Sequence, residues 1–338
     1  MIHSTTEIDR RQWLHSSGAA LAGVAIGHSL INSTVAQERK PMLPIVDTHQ
    51  HLWDLTKFQC PWLAGAPEIL KRSYVTKDYL EAIAGLNIEQ AVYMEVDVNP
   101  DLQVAEAEHL IQICQTEGAV TKAAVISGRP ASDEFANYLN KFKGSPYIKG
   151  VRQVLHVDET PAGHCITPSY IRGVRLLGER GLSFDLCMRP MELRDATRLA
   201  DQCPDTRLIL DHCGNGDPKA FRKPSDDPAD KPWHDADTWK RWITELAKRK
   251  NVICKISGIV ARAPKGWTAD DLAPLVNHCL DEFGADRVIF GSDWPVCLLG
   301  ATLRQWVESL RAIISNRPEA DQRKLLRDNA VRLYGLKG

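Results

Sequence analysis

Eight short apolar runs, separated by helical patterns, constrain this 338-residue chain more than any other feature. They are IVDTH at 45–49, QAVYMEV at 90–96, TKAAVIS at 121–127, IKGVRQV at 148–154, SFDLCM at 183–188, RLILDH at 207–212, VICKIS at 252–257 and RVIFGSD at 287–293. Near-continuous apolarity of this length suits strands covered on both faces, as in a parallel sheet. Helical patterns at 76–84, 101–116, 132–143, 168–180, 191–201, 236–249, 269–283 and 303–315 lie between and after them, and 319–333 closes the chain. Gly118, Gly181 and Gly284 follow three of these helices, where a left-handed cap favours glycine. Eight strands alternating with helices describe an α/β fold, a single-domain (β/α)8 (TIM) barrel. Such barrels typically run about 250 residues. The surplus falls in long strand-to-helix loops at 50–75, 155–167 and 213–235, on the face where these barrels build their sites.

The first 36 residues stand apart. Twin arginines, Arg10-Arg11, precede the small-residue apolar stretch SGAALAGVAIGHSLI, and Thr34-Val35-Ala36 offers a small-x-small cleavage site. This reads as a twin-arginine export signal, recognised by the twin-arginine translocation machinery, and not as a membrane span, for which the stretch is too short and too weakly apolar. The expected mature domain is 37–338, periplasmic or otherwise extracytoplasmic. Net charge is −1, which gives no basic surface for nucleic acid. Nine cysteines contain no C-x-x-C pair, and several sit inside apolar runs, so buried free thiols are expected over a disulfide framework. The sequence leaves the oligomeric state open.

Polar residues concentrate where the strands end. Strand 1 carries Asp47, His49 and His51, which alternation places on one side. Strand 4 carries Arg152, strand 5 Asp185, strand 6 Asp211-His212, strand 7 Lys255 and Ser257, and strand 8 Ser292-Asp293. Charged residues inside apolar strands are costly unless paired or functional. An H-x-H pair is weak evidence alone; joined to D-H and G-S-D it becomes a candidate centre. His49, His51, His212 and Asp293 could hold one Zn2+ or Mn2+ ion, with Asp293 a ligand, a general base for water, or both.

The segments DTHQHLW at 47–53, PWL at 61–63, GVRQVLH at 150–156, LSFDLCM at 182–188, LILDHCG at 208–214, KISG at 255–258, GSDWPV at 291–296 and DNAVRLYG at 328–335 together resemble the amidohydrolase superfamily. The similarity is to its amidohydrolase 2 branch, which includes L-fuconolactone and L-rhamnonolactone hydrolases. A two-metal amidohydrolase has a carboxylate or modified lysine on strand 4 and a histidine on strand 5. Here Arg152 and Asp185 stand there, so a bridged metal pair is not expected. The resemblance implies a hydrolase that opens a small sugar-derived lactone, with no strictly required cofactor or with one divalent ion. Asp293 would activate water while His49, His51, His212 and Arg152 stabilise the carbonyl oxygen. Trp53, Trp62, Tyr74, Asp185, Lys255 and Trp294 are expected to bind substrate, although Asp185 and Lys255 could instead pair inside the barrel. Asp47 and Asp211 are expected to orient neighbouring groups. His156, Glu95 and Asp97 could also reach the mouth. The alternatives are a metal-dependent decarboxylase or other hydrolase of the same branch, and a non-catalytic sugar-binding protein.

Overall fold

The eight apolar runs are strands in the computed structural model, which describes residues 42–223 and 227–337. They are β1 (Ile45–Gln50), β2 (Ile88–Met94), β3 (Thr121–Ser127), β4 (Ile148–Val154), β5 (Ser183–Cys187), β6 (Leu208–Leu210), β7 (Val252–Ile256) and β8 (Val288–Phe290). All adjacent pairs are parallel, in the order β1 to β8. The cylinder closes just beyond β8, where His51 N donates to Trp294 O at 2.8 Å and Asp293 N to His49 O at 2.9 Å. Expected export residues 1–36 lie outside the described residues.

Eight helices follow the strands in turn: α1 (Thr76–Ile83), α2 (Gln103–Gln115), α3 (Phe135–Asn140), α4 (Pro168–Glu179), α5 (Leu193–Gln202), α6 (Ala236–Ala247), α7 (Ala269–Phe283) and α8 (Leu303–Ile314). The last shows why they form. Leu303, Trp306, Val307, Leu310 and Ile314 recur at helical spacing and are all buried, giving one apolar stripe against the sheet. Thr302 caps its start, accepting from Gln305 N at 3.2 Å, while the Gln305 side chain accepts from Thr302 N at 2.8 Å. The expected helix at 132–143 is shorter because the Ser132 hydroxyl accepts from Glu134 N at 3.2 Å, a turn that competes with helix initiation. No helix among the described residues is long and apolar enough to cross a membrane.

Barrel-interior side chains Val46, Val92, Val125, Ile209, Ile253 and Ile289 form an inner core, joined by Ala330, Leu333 and Tyr334 from the closing helical segment 319–334. That segment caps the end where strands begin: Asn329 Nδ2 donates to Ala285 O at 2.7 Å and Val288 O at 2.8 Å. The outer, larger core lies between strands and helices. All nine cysteines are free and buried.

Strands β6 and β8 are shorter than their apolar runs because the polar tails leave the ladder. His212 has φ 54° and Asp293 φ 57°, both in the left-handed region. The residues with the most chemistry thus sit where the strands turn into loops.

Candidate active site

Strand β1 brings His49 and His51 into the barrel mouth. Its register against β2 shifts between Asp47 and Gln50, so Asp47 does not share their environment as simple alternation predicts. The Asp47 carboxylate accepts from Tyr79 OH on α1 at 2.7 Å, and from Ser292 N at 2.7 Å and Ser292 Oγ at 2.5 Å beyond β8. It ties the first strand to the last and fixes both chain segments that carry the site.

The centre is Asp293. Its Oδ1 lies 3.4 Å from His51 Nε2, 3.6 Å from His49 Nε2 and 4.0 Å from His212 Nε2. Burial pushes the Asp293 carboxyl up, but the surrounding histidines, His212 foremost, outweigh it and hold the group below the ordinary aspartate range. Burial lowers the pKa of both His49 and His212, so these rings are neutral at neutral pH.

Each histidine is held from behind. His51 Nδ1 lies 3.0 Å from the Met94 carbonyl oxygen, which only accepts, so that nitrogen carries a proton and Nε2 is turned to the centre. His49 Nδ1 faces an acceptor, Asp211 Oδ1 at 3.4 Å, and a donor, Lys255 Nζ at 3.2 Å. Either tautomer of His49 therefore has a partner. His212 Nδ1 lies 3.0 Å from Ser257 Oγ.

His212 stands on an unusual turn. His212, Cys213, Gly214 and Asn215 have φ of 54°, 53°, 65° and 53°, a left-handed turn that costs on the order of 1–2 kcal/mol for each non-glycine residue. Its surroundings hold it: Trp239 Nε1 donates to Cys213 O at 3.0 Å, Trp233 Nε1 to Asn215 O at 3.2 Å, and Asn215 Nδ2 to Met188 O at 2.9 Å. Strain held this way marks segments with a positional task.

Arg152 and Lys255 supply positive charge. Arg152 Nε donates to Glu95 Oε1 at 2.6 Å and Nη2 to Glu95 O at 2.7 Å, which leaves Nη1 3.4 Å from His49 Nε2. Lys255 Nζ bridges Asp185 Oδ2 at 2.7 Å and Asp211 Oδ1 at 2.9 Å. Burial disfavours the Lys255 charge, but the facing Asp185 and Asp211 carboxylates more than offset this and keep it an ammonium.

A cavity of about 280 Å³ opens above this cluster. His51, Trp53, Trp62, Arg152, His212 and Asp293 line it, as do Asp97, His156, Asn215 and Arg262, with Val96, Val154, Val157, Val296 and Leu299 as apolar wall. The other expected substrate-binding residues are not on the wall. Tyr74 and Trp294 are buried behind it, their rings packed edge-to-face at 5.3 Å, with the Tyr74 hydroxyl donating to Ile69 O at 2.6 Å. Asp185 and Lys255 are fully buried under the histidines, where each neutralises the other. Glu95 anchors Arg152, and Asp97 pairs with Arg129 at 3.1 Å. His156 reaches the mouth as a neutral ring, its pKa pushed down to about 3 by burial first and then by Arg262. Arg262 and Asn215 are polar wall residues that sequence reasoning missed; the segment ARAPKGW at 261–267 carries no motif to announce Arg262.

The donor set fits one divalent cation. Mutual distances among His49 Nε2, His51 Nε2 and Asp293 Oδ1 are 3.2, 3.4 and 3.6 Å. Tetrahedral ligands bound to zinc at their usual lengths stand about 3.3 Å apart. Glu95 is paired with Arg152, and Asp185 and Asp211 with Lys255, which leaves Asp293 as the carboxylate that faces the histidines.

A parallel barrel with an H-x-H pair on the first strand, a histidine after the sixth and an aspartate after the eighth defines a hydrolytic amidohydrolase-type centre. The chain belongs to the amidohydrolase family, whose profile (Amidohydro_2) matches residues 46–336. It is 28% identical over 298 residues to an L-fucono-1,5-lactonase of Burkholderia multivorans, covering 86% of this chain and 96% of that protein. It is 22% identical over 344 residues to an L-rhamnono-gamma-lactonase of Scheffersomyces stipitis, covering 86% of this chain and 98% of that protein. A crystal structure of a Burkholderia multivorans amidohydrolase with bound zinc shares the fold at TM-score 0.73 and 24% identity, over 87% of this chain and 100% of that one.

Proposed function

We propose that this chain hydrolyses a sugar-derived lactone of the L-fuconolactone or L-rhamnonolactone type. One observation carries the reading: a buried, ionised Asp293 faces three imidazole rings within 3.4 to 4.0 Å at the floor of a cavity sized for a small ring. The lactonase relatives support the choice of a cyclic ester.

The lactone carbonyl lies over the cluster, with its oxygen towards the histidines and Arg152 Nη1. Asp293 takes a proton from water, and the water oxygen bonds to the carbonyl carbon. Charge moves onto the carbonyl oxygen, where His212, the H-x-H pair and the Arg152 guanidinium stabilise it. One preorganised donor of this kind is worth about 3 kcal/mol. Collapse breaks the bond to the ring oxygen, and protonated Asp293 returns its proton to that leaving oxygen. The product is an open-chain hydroxy acid, and Asp293 ends ionised as it began. An ester leaving group needs no stronger acid than this.

His49, His51 and Asp293, with His212 beside them, would hold a divalent ion such as Zn2+ or Mn2+, which supplies Lewis-acid polarisation of a carbonyl and a more acidic water when bound. Export by the twin-arginine route, read from residues 1–36, would place this reaction outside the cytoplasm.

The test is proton release from L-fucono-1,5-lactone and L-rhamnono-1,4-lactone by the chain from Gln37 onward, with and without a chelator. Turnover of either supports the reading. Turnover that survives chelation assigns the work to the side chains alone; turnover lost to chelation and restored by Zn2+ or Mn2+ makes the histidines and Asp293 metal ligands. Silence on both lactones contradicts the substrate assignment.

A further inference from the structure

Arg262 is a charged wall residue that the hydrolytic chemistry above does not use. It ends the turn Ile259–Arg262 that follows β7, and its guanidinium lies 3.9 Å from the ring centroid of Trp233. That stack holds the plane of the group but occupies its face, not its edges, where the N–H donors lie. Trp233 is in turn fixed by its bond to Asn215 O at 3.2 Å, so the shelf is built on the same left-handed turn that carries His212. The two buried cations at this mouth each have a carboxylate: Arg152 has Glu95 at 2.6 Å and Lys255 has Asp185 at 2.7 Å. Among the described residues, no carboxylate lies within 4 Å of Arg262; Asp217, the nearest in electrostatic influence, is engaged by the Lys219 and Trp233 backbone amides at 2.9 and 3.3 Å. Burial pulls the Arg262 pKa below the ordinary arginine range, a sign of a desolvated charge. The neighbouring wall is apolar, with Val157, Val296 and Leu299, and offers the cation nothing.

A partly buried guanidinium with its donor edges unpaired, in a cavity built for a ligand, is completed by an anion that the ligand brings. We propose that Arg262 is a specificity-determining residue that recognises a carboxylate, and that the preferred lactone carries a carboxylate besides its ester carbonyl. The planar fork matches a carboxylate through two parallel hydrogen bonds, and the small cavity favours that compact group. The proposal rests on the lactonase reading for the reacting end of the ligand. At the far carbon it departs from L-fucono- and L-rhamnonolactone, which end in a methyl group, and selects lactones in which that carbon is oxidised to an acid. A reaction that oxidises the terminal carbon of a sugar or sugar acid must therefore supply the substrate, and the product is an open-chain dicarboxylate.

D-glucaro-1,4-lactone and D-glucono-1,4-lactone differ at that terminal carbon and make a matched pair of probes. Wild-type enzyme should show kcat/KM at least tenfold higher on the glucarolactone. In Arg262→Met that preference ratio should fall to near one, and Arg262→Lys should restore part of it. Equal rates on both lactones by the wild type, or a ratio kept by Arg262→Met, would overturn the proposal, as would a preference for 6-phosphogluconolactone over the glucarolactone. If neither lactone of the pair is hydrolysed, and L-fucono- and L-rhamnono-lactone also fail, the lactonase reading falls. Calorimetry with the same two lactones, which stay intact in that case, then decides the anion site by itself. Tighter D-glucaro-1,4-lactone binding that Arg262→Met abolishes supports it, and the absence of any preference over D-glucono-1,4-lactone overturns it.

Discussion

Lys255 Nζ lies 3.2 Å from His49 Nδ1, on the side of the ring away from Asp293. A fully buried ammonium thus stands directly under the histidine that faces the reacting centre, held there by Asp185 at 2.7 Å and Asp211 at 2.9 Å. The lysine positions the ring and balances carboxylates that have no access to water. Removing one partner of a buried ion cluster strands the remaining charge and costs on the order of 3–5 kcal/mol. Lys255→Met should lower stability by that amount in urea unfolding, and Lys255→Met combined with Asp185→Asn should recover part of it. Unchanged stability in the single variant would show that the cluster is not needed to hold the barrel mouth.

Gly258 must stay glycine for a local reason. Its φ is +68°, and a Cβ there would lie 2.2 Å from His212 Nδ1. Gly258→Ala should therefore push His212 off Ser257 and away from Asp293 with little effect on the rest of the barrel. The expected result is a fall in kcat of about a hundredfold, the usual scale for small misplacements of reacting groups, with an unchanged circular dichroism spectrum. Normal kcat would mean that His212 does not act from its observed position.

The pH profile follows from the direction of the shifts. Asp293 works as a base in its ionised form, so activity is lost as pH falls through its pKa. That pKa lies below the ordinary 3.8, because the histidines outweigh burial. His49 and His212 are held below the ordinary 6.5, by burial first, and stay neutral through that value. kcat/KM should be flat from neutral pH down through 6.5, with its acid limb far lower. An acid limb centred near 6.5 would contradict the assignment of both rings as neutral donors.

Most of the barrel was legible because its strands are apolar on both faces, a pattern written in runs such as LIL at 208–210 and VICKI at 252–256. The central residues were legible because they stand where those runs stop. What eluded the sequence depends on direction and depth. Aromatic character does not say whether Tyr74 and Trp294 face the cavity or pack behind it. A charged strand residue such as Asp185 or Lys255 can reach the mouth or pair beneath it, and here the two choose each other. Asp47 departs from alternation because the β1 register shifts. Arg262 depends on a loop whose course no local pattern specifies.

The twin arginines at 10–11 carry their own test. With Arg10→Lys and Arg11→Lys together, a tagged full-length chain should remain cytoplasmic, while the unaltered chain should be recovered in the periplasmic fraction in shortened form. Export that survives the double change would contradict the twin-arginine route.

The central claim is that Asp293 moves the proton. Proton release from L-fucono-1,5-lactone, or from D-glucaro-1,4-lactone if that is the better substrate, should be compared for wild type and Asp293→Asn at equal concentration. The amide keeps the shape of the side chain but cannot take a proton from water, and loss of a general base costs roughly 10²–10⁴ in rate. A fall of that size, with wild-type circular dichroism, is the predicted result. Near-normal turnover by Asp293→Asn would contradict the account.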